Sequence, residues 1–175
     1  MSIWVRVFCK KSVATLTPED LADGIGRRVG ALTYLLLPED EEDPAAVVDR
    51  MEVLTEEDAS EFVHAEIAYR VGDDRPIQVE RWFDRKMVEE EVSEALDELG
   101  KRTEPEAQMV RERVQAAIET IGFELKLGDA KGMGWPVSLG AACEVCARGE
   151  GVVYAEGLGW VEPTGIDLRV LLPES

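Results

Sequence analysis

The 175-residue chain is 45% hydrophobic and carries 37 acidic against 19 basic residues, a formal net charge of −18 at pH 7. That is enough apolar content for the core of one domain, and no apolar run reaches the length needed to cross a bilayer. The charge argues against binding the phosphates of nucleic acid or an anionic membrane, and it favours a basic partner.

Ile3, Val5, Val7 and Cys9 alternate with Trp4, Arg6 and Phe8. This is a strand, apolar on both faces apart from Arg6, and so expected near the centre of a sheet. The first residues lack the basic region and long apolar stretch of a secretory signal. Thr17 is a helix cap followed by Pro18, Glu19 and Asp20 in the first turn. Leu21, Ile25, Val29 and Leu32 then share one helical face. Gly24, Gly26 and Gly30 lie inside that periodic pattern, well after the strand, so they predict close packing against a neighbour and not a phosphate loop.

Residues 38–61 form an acidic block. Eleven acids face Arg50 alone, which concentrates ten of the 18 excess negative charges in 24 residues. Pro38 and Pro44 bracket its densest run, Glu39, Asp40, Glu41, Glu42 and Asp43; Glu56, Glu57 and Asp58 follow a short helix expected near Ala45–Arg50. The spacing of a calcium loop is absent. The block reads as a solvated connection or as a surface shown to a basic partner.

From Phe62 to Val71 the pattern alternates again, with Val63, Ala65, Ile67, Tyr69 and Val71 on one side and His64, Glu66 and Arg70 on the other. Gly72–Arg75 predicts a hairpin turn into a strand over residues 77–83. Two helices follow. The first carries Met87, Val88, Val92, Ala95, Leu96 and Leu99 and stops at Gly100. The second opens on a capping box, Thr103-Glu104-Pro105-Glu106, carries Val110, Val114, Ala117, Ile118 and Ile121, and stops at Gly122. Phe123, Leu125 and Leu127 then alternate as a strand. A glycine loop leads through Trp135-Pro136 into an alanine-rich helix over about 137–147. Residues 152–155 make a short strand, Gly157–Trp160 a turn, and Leu168–Leu172 an edge strand. Trp135 and Trp160 either plug the ends of the core or serve as an exposed anchor.

Strands interspersed with helices, but including a hairpin, predict an α+β fold: a mixed or antiparallel sheet covered by helices on one face. It is expected as a single domain, 1–175, and strand–helix–strand units near both ends are compatible with two related halves, 1–83 and 84–175. Three cysteines form no disulfide framework and suggest a reducing cytoplasm. Cys143 and Cys146, with Cys9 and His64, make an incomplete case for zinc; buried cysteines acting as small hydrophobes explain them better. A small enzyme or metal-dependent regulator using Cys143, Cys146 and His64 is the alternative function. No catalytic residue, metal ligand or cofactor is assigned.

The closing segment, with Gly134-Trp135, the alanine-rich helix and Gly159-Trp160, resembles the ending of small bacterial proteins of the immunity-protein kind, which neutralise a cognate toxin. The resemblance covers about 40 of 175 residues and carries over no functional residue. It implies an acidic cytoplasmic protein-binding domain for a basic toxin, with no nucleic-acid or membrane partner. The candidate contact residues are Glu39, Asp40, Glu41, Glu42, Asp43, Glu56, Glu57, Asp58, Trp135 and Trp160.

Overall fold

The alternation of residues 2–9 produces β1 (Ser2–Cys9), and its apolar character on both faces has a direct cause: strands pair with it on both sides and helices pack on both faces. The computed structural model describes residues 1–37, 39, 42–70, 72 and 75–175. After β1 come α1 (Pro18–Leu36), α2 (Pro44–Arg50), β2 (Glu52–Thr55), β3 (His64–Ala68), β4 (Ile77–Trp82), α3 (Arg85–Leu99) and α4 (Pro105–Gln115). Then follow β5 (Glu119–Lys126), a 3₁₀ turn at Asp129–Lys131, α5 (Gly134–Gly149), β6 (Val152–Ala155), β7 (Gly159–Thr164) and β8 (Asp167–Pro173).

The strands form one antiparallel sheet in the order β2-β3-β4-β5-β1-β6-β7-β8. The class is α+β, as the element pattern predicts. A strand, a helical segment and three further strands occur twice, once from β1 and once from β5. β1 and β5 pair at the centre of the sheet, with Val5 opposite Phe123 and Val7 opposite Ile121. The outer strands attach in opposite senses: β4, the last of the first set, borders β5, whereas β6, the first of the second, borders β1.

One face carries α1, α2 and α5. Leu21, Ile25, Val47, Leu139 and Val145 meet Val5, Val7, Ile67, Ile121 and Phe123 there. This is the helical layer the sequence predicts. A second layer, α3 and α4, lies on the opposite face, where Leu99, Val110 and Val114 cover Phe8, Val152, Trp160 and Leu172. The apolar stripes of these two helices need that cover, because a helix with one apolar face is stable only against another surface.

Helix starts follow local chemistry. The Thr17 hydroxyl accepts the Asp20 N–H at 3.1 Å, and the Asp20 carboxylate accepts the Thr17 N–H at 3.0 Å. Asp43 and Asp84 cap α2 and α3 in the same way. The expected box at Thr103 does not form: Glu104 is the cap of α4, without a side-chain bond. The helix also ends sooner than its apolar stripe suggests. Ile121 and Gly122 belong to β5, and Ile118 is half-exposed. Strand pairing from Glu119 onward, with β1 on one side and β4 on the other, overrides the helical spacing. Residues 159–160 are likewise strand and not turn: the reversal falls just before, at Gly157, and β7 pairs with both β6 and β8. The hairpin predicted at Gly72–Arg75 joins two strands that do pair, but its Asp73 and Asp74, with Val71, lie outside the described residues.

Candidate functional site

The acidic block does not form one patch. Glu39, Glu42 and Asp43 follow the C-terminal end of α1, where Asp43 accepts the Ala45 N–H and Glu42 pairs with Arg50. Asp40 and Glu41 lie outside the described residues. Glu56, Glu57 and Asp58 are exposed between β2 and β3, beside the N-terminal end of α1, where the Phe62 N–H donates to the Ala14 carbonyl. A 19-residue helix separates the two groups by about 28 Å. Residues adjacent in sequence therefore sit at opposite ends of the fold.

Of the two tryptophans singled out in the closing segment, one is buried and the other is partly exposed. Trp160 is 6% exposed, and Trp135 packs half-buried against the main core. Trp4 of β1 and Trp82 of β4 are also partly exposed and form a pair, with ring centroids 6.3 Å apart. Both rings lie over Gly122, where a Cβ would come within 2.7 Å of Trp82 and 3.1 Å of Trp4. Glycine at that position lets two indoles, tilted 37° to each other, approach the strand closely. Trp82 shares its side of β4 with Gln78 and Glu80, whereas Trp4 shares its side of β1 with Arg6 and the buried Phe8.

These indoles lie on the sheet face that α3 and α4 cover only in part. The buried cluster of those helices draws on β1, β6, β7 and β8 and takes no residue from β2, β3 or β4 among the described residues. The open half shows Leu54, half-exposed, and the polar ladder His64, Glu66, Gln78 and Glu80. His64 Nε2 lies 2.9 Å from Gln78 Oε1, and Gln78 Nε2 donates to Glu66 at 3.1 Å. Glu124 continues the acidic border and accepts the Ser2 hydroxyl at 2.5 Å. The result is an aromatic pair on a strand surface bordered by carboxylates, of which Glu124 also pairs with Lys126 at 3.4 Å.

Along the covered edge of that surface, between α3 and the sheet, runs a cleft of about 280 Å³. Its floor is the aromatic group Phe8, Tyr154 and Trp160, with centroids 5.5 and 5.1 Å apart. The Tyr154 hydroxyl donates to Glu174 at 2.7 Å, and burial together with that carboxylate pushes the phenol above its usual range. Arg6 stands at the boundary of cleft and open face, 3.4 Å from Glu91 and 5.9 Å from the centroid of Trp4.

The metal-site candidates do not converge. Cys9 and Cys146 lie in the core beneath α1 and α5, whereas His64 faces the opposite side of the sheet on Gln78. All three cysteines are free and buried. Burial pushes the Cys143 thiol up to about 11 and Cys146 to about 12, with Cys9 higher still, so thiolate chemistry at neutral pH is suppressed. Among the described residues no group of three or more His, Cys, Asp or Glu is arranged to hold a metal ion. Among them, too, no helix is long and apolar enough to cross a membrane. No protein-family model, no curated protein and no solved structure matches this chain.

Proposed function

We propose that this chain is a protein-binding domain that holds a basic protein partner against the open half of its sheet, in the manner of an immunity protein covering a toxin. The observation that carries the reading is the Trp4–Trp82 pair, partly exposed on a strand surface bordered by Glu66, Glu80 and Glu124. Tryptophan in such a position buries a large area at small entropic cost, and it dominates many interfaces. The carboxylates supply orientation, and the net charge of −18 supplies long-range attraction for a cationic surface. The acidic groups at the two ends of α1 add to that field without forming the contact surface.

The test begins with capture from host lysate at low salt and purification of the protein released by a salt gradient. Binding is then measured with variants. Trp82→Ala should weaken the complex by roughly thirtyfold, the scale of an interface hot spot. Glu66→Gln with Glu80→Gln should slow association and flatten its dependence on salt. A captured protein that binds both variants as tightly and as fast as the parent overturns the assignment.

A further inference from the structure

The cleft beneath α3 has the size and chemistry of a receptor for one side chain. At about 280 Å³ it falls just below the range of pockets that enclose a drug-sized ligand. Its floor is aromatic and its walls are acidic: Glu91, Glu94, Glu98, Glu156 and Glu174 face only Arg6 and Arg102. Arg102 is already committed, to Glu104 at 2.6 Å and to the Pro173 carbonyl at 2.9 Å. Arg6 is committed to Glu91. Glu94 has no ion pair among the described residues. Glu98 pairs with Lys101 at 3.0 Å, which leaves Glu94, Glu156 and Glu174 without an ion pair among the described residues, although Glu156 accepts the Trp4 N–H and Glu174 accepts the Tyr154 hydroxyl and the Gly157 N–H.

Aromatic faces and carboxylates together select a planar cation. A guanidinium stacks on a ring while its in-plane donors meet carboxylate oxygens, whereas an ammonium is a compact, strongly hydrated charge. At the mouth of the cleft the chain already holds one guanidinium between a ring and a carboxylate: Arg6 lies 5.9 Å from the Trp4 centroid and 3.4 Å from Glu91, an ion pair without a hydrogen bond from its Nε. Because Arg6 belongs to both surfaces, a partner resting on Trp4 and Trp82 has the cleft directly at its edge. We propose that the cleft receives an arginine side chain of the basic partner; this rests on the protein-binding reading and names the chemistry of its anchor.

The peptide acetyl-Gly-Arg-Gly-amide, titrated into the isotope-labelled protein, tests this without the partner. Saturable NMR shifts should appear at the Trp160 indole N–H and at the amides of Glu94, Ala95 and Gly159. The peptide with citrulline, which has the same shape without charge, should bind at least about tenfold more weakly, as should the arginine peptide to Glu94→Gln/Glu98→Gln. Both glutamates are exposed, so the variant keeps its fold. No saturable shift at these positions, or equal binding of the citrulline peptide, overturns the inference. A captured partner that loses affinity with Trp82→Ala but is indifferent to Glu94→Gln/Glu98→Gln overturns the arginine site alone. A cleft that takes the peptide as expected, with a partner indifferent to Trp82→Ala, supports the arginine site and removes the sheet-face reading.

Discussion

Glu119, at 4% exposure, illustrates how single residues hold this fold. Arg81 donates to it through Nε at 3.0 Å and Nη2 at 2.6 Å, the Ser12 hydroxyl donates at 2.7 Å, and the Val13 N–H at 3.0 Å. Arg81 also donates to the Phe62 carbonyl at 2.9 Å, so one ion pair fastens β4, β5 and two loops. Burial pushes the Glu119 carboxyl up, but Arg81 and the other donors outweigh it and hold the group below its usual range. A carboxyl depressed in the folded state stabilises that state above its unfolded pKa, and the contribution is lost as pH falls through the folded value. Glu119→Gln leaves the buried Arg81 guanidinium with only the exposed Glu61 carboxylate, at 3.4 Å, and should cost about 3 kcal/mol at pH 7. Arg81→Met/Glu119→Leu should cost less than the single change, because neither charge is then left alone. Urea denaturation of the parent and the two variants at pH 7 and pH 4 checks both points. The single variant should also lose less stability than the parent on acidification, and an identical pH profile would show that Glu119 does not carry the effect.

At the scale of elements, α1 and α5 are joined through a glycine and a buried charge. A Cβ on Gly24 would sit 2.5 Å from the Cβ and Cγ of Glu144, whose carboxylate takes Arg27 and Arg28 at 2.6 Å each and Arg148 at 2.9 Å. Gly30, on the same helix, has no atom within 4 Å of its would-be Cβ. Alanine is the better helix former by roughly 1 kcal/mol at either position. Gly30→Ala should therefore raise stability by about 0.5–1 kcal/mol, while Gly24→Ala should lower it by about 1–3 kcal/mol through overpacking. Thermal and urea unfolding of the two variants read opposite signs; a gain from both would mean that the helices part at little cost. The expectation of close packing thus holds for Gly24 but not for Gly30, and no local pattern distinguishes them. Elements whose own period agreed with their packing were legible in the same way. Alternation gave β1 and β3, a turn signal gave β4, a cap with an apolar stripe gave α1, an apolar stripe ended by glycine gave α3, and Pro136 with a run of small residues gave α5. β2 was hidden by the charges of the acidic block, β7 by Gly159 and Pro163, and the start of β5 by helical spacing that pairing with two neighbours overrode. The Trp4–Trp82 surface stayed hidden because it joins residues 78 positions apart in sequence through pairing with a third strand, at Gly122.

For the whole molecule, the net charge was legible but its geometry was not, since a run of acids in sequence became two groups at the ends of a helix. The same −18 sets how stability responds to salt. Exposed pairs such as Arg85–Glu89 and Lys101–Glu98 contribute little because water and ions already screen them, so further screening costs little. Repulsion among the unpaired carboxylates acts over longer distances and opposes the compact state. Raising sodium chloride from about 0.01 M to about 0.15 M shortens the screening length from about 30 Å to about 8 Å, which removes much of that repulsion and leaves the buried pairs at Glu119 and Glu144 nearly untouched. The urea midpoint at pH 7 should therefore rise with salt, urea being chosen because it adds no ions of its own. Near pH 4.4, where the net charge vanishes, the salt dependence should flatten, and the midpoint should also be lower because the unfolded chain takes up protons at Glu119 and Glu144 while the folded state, which depresses these carboxyls, does not. A midpoint that falls with salt at pH 7 would mean that surface pairing outweighs repulsion. The open carboxylates would then be held in internal networks, and the attraction proposed for a basic partner would lose its source.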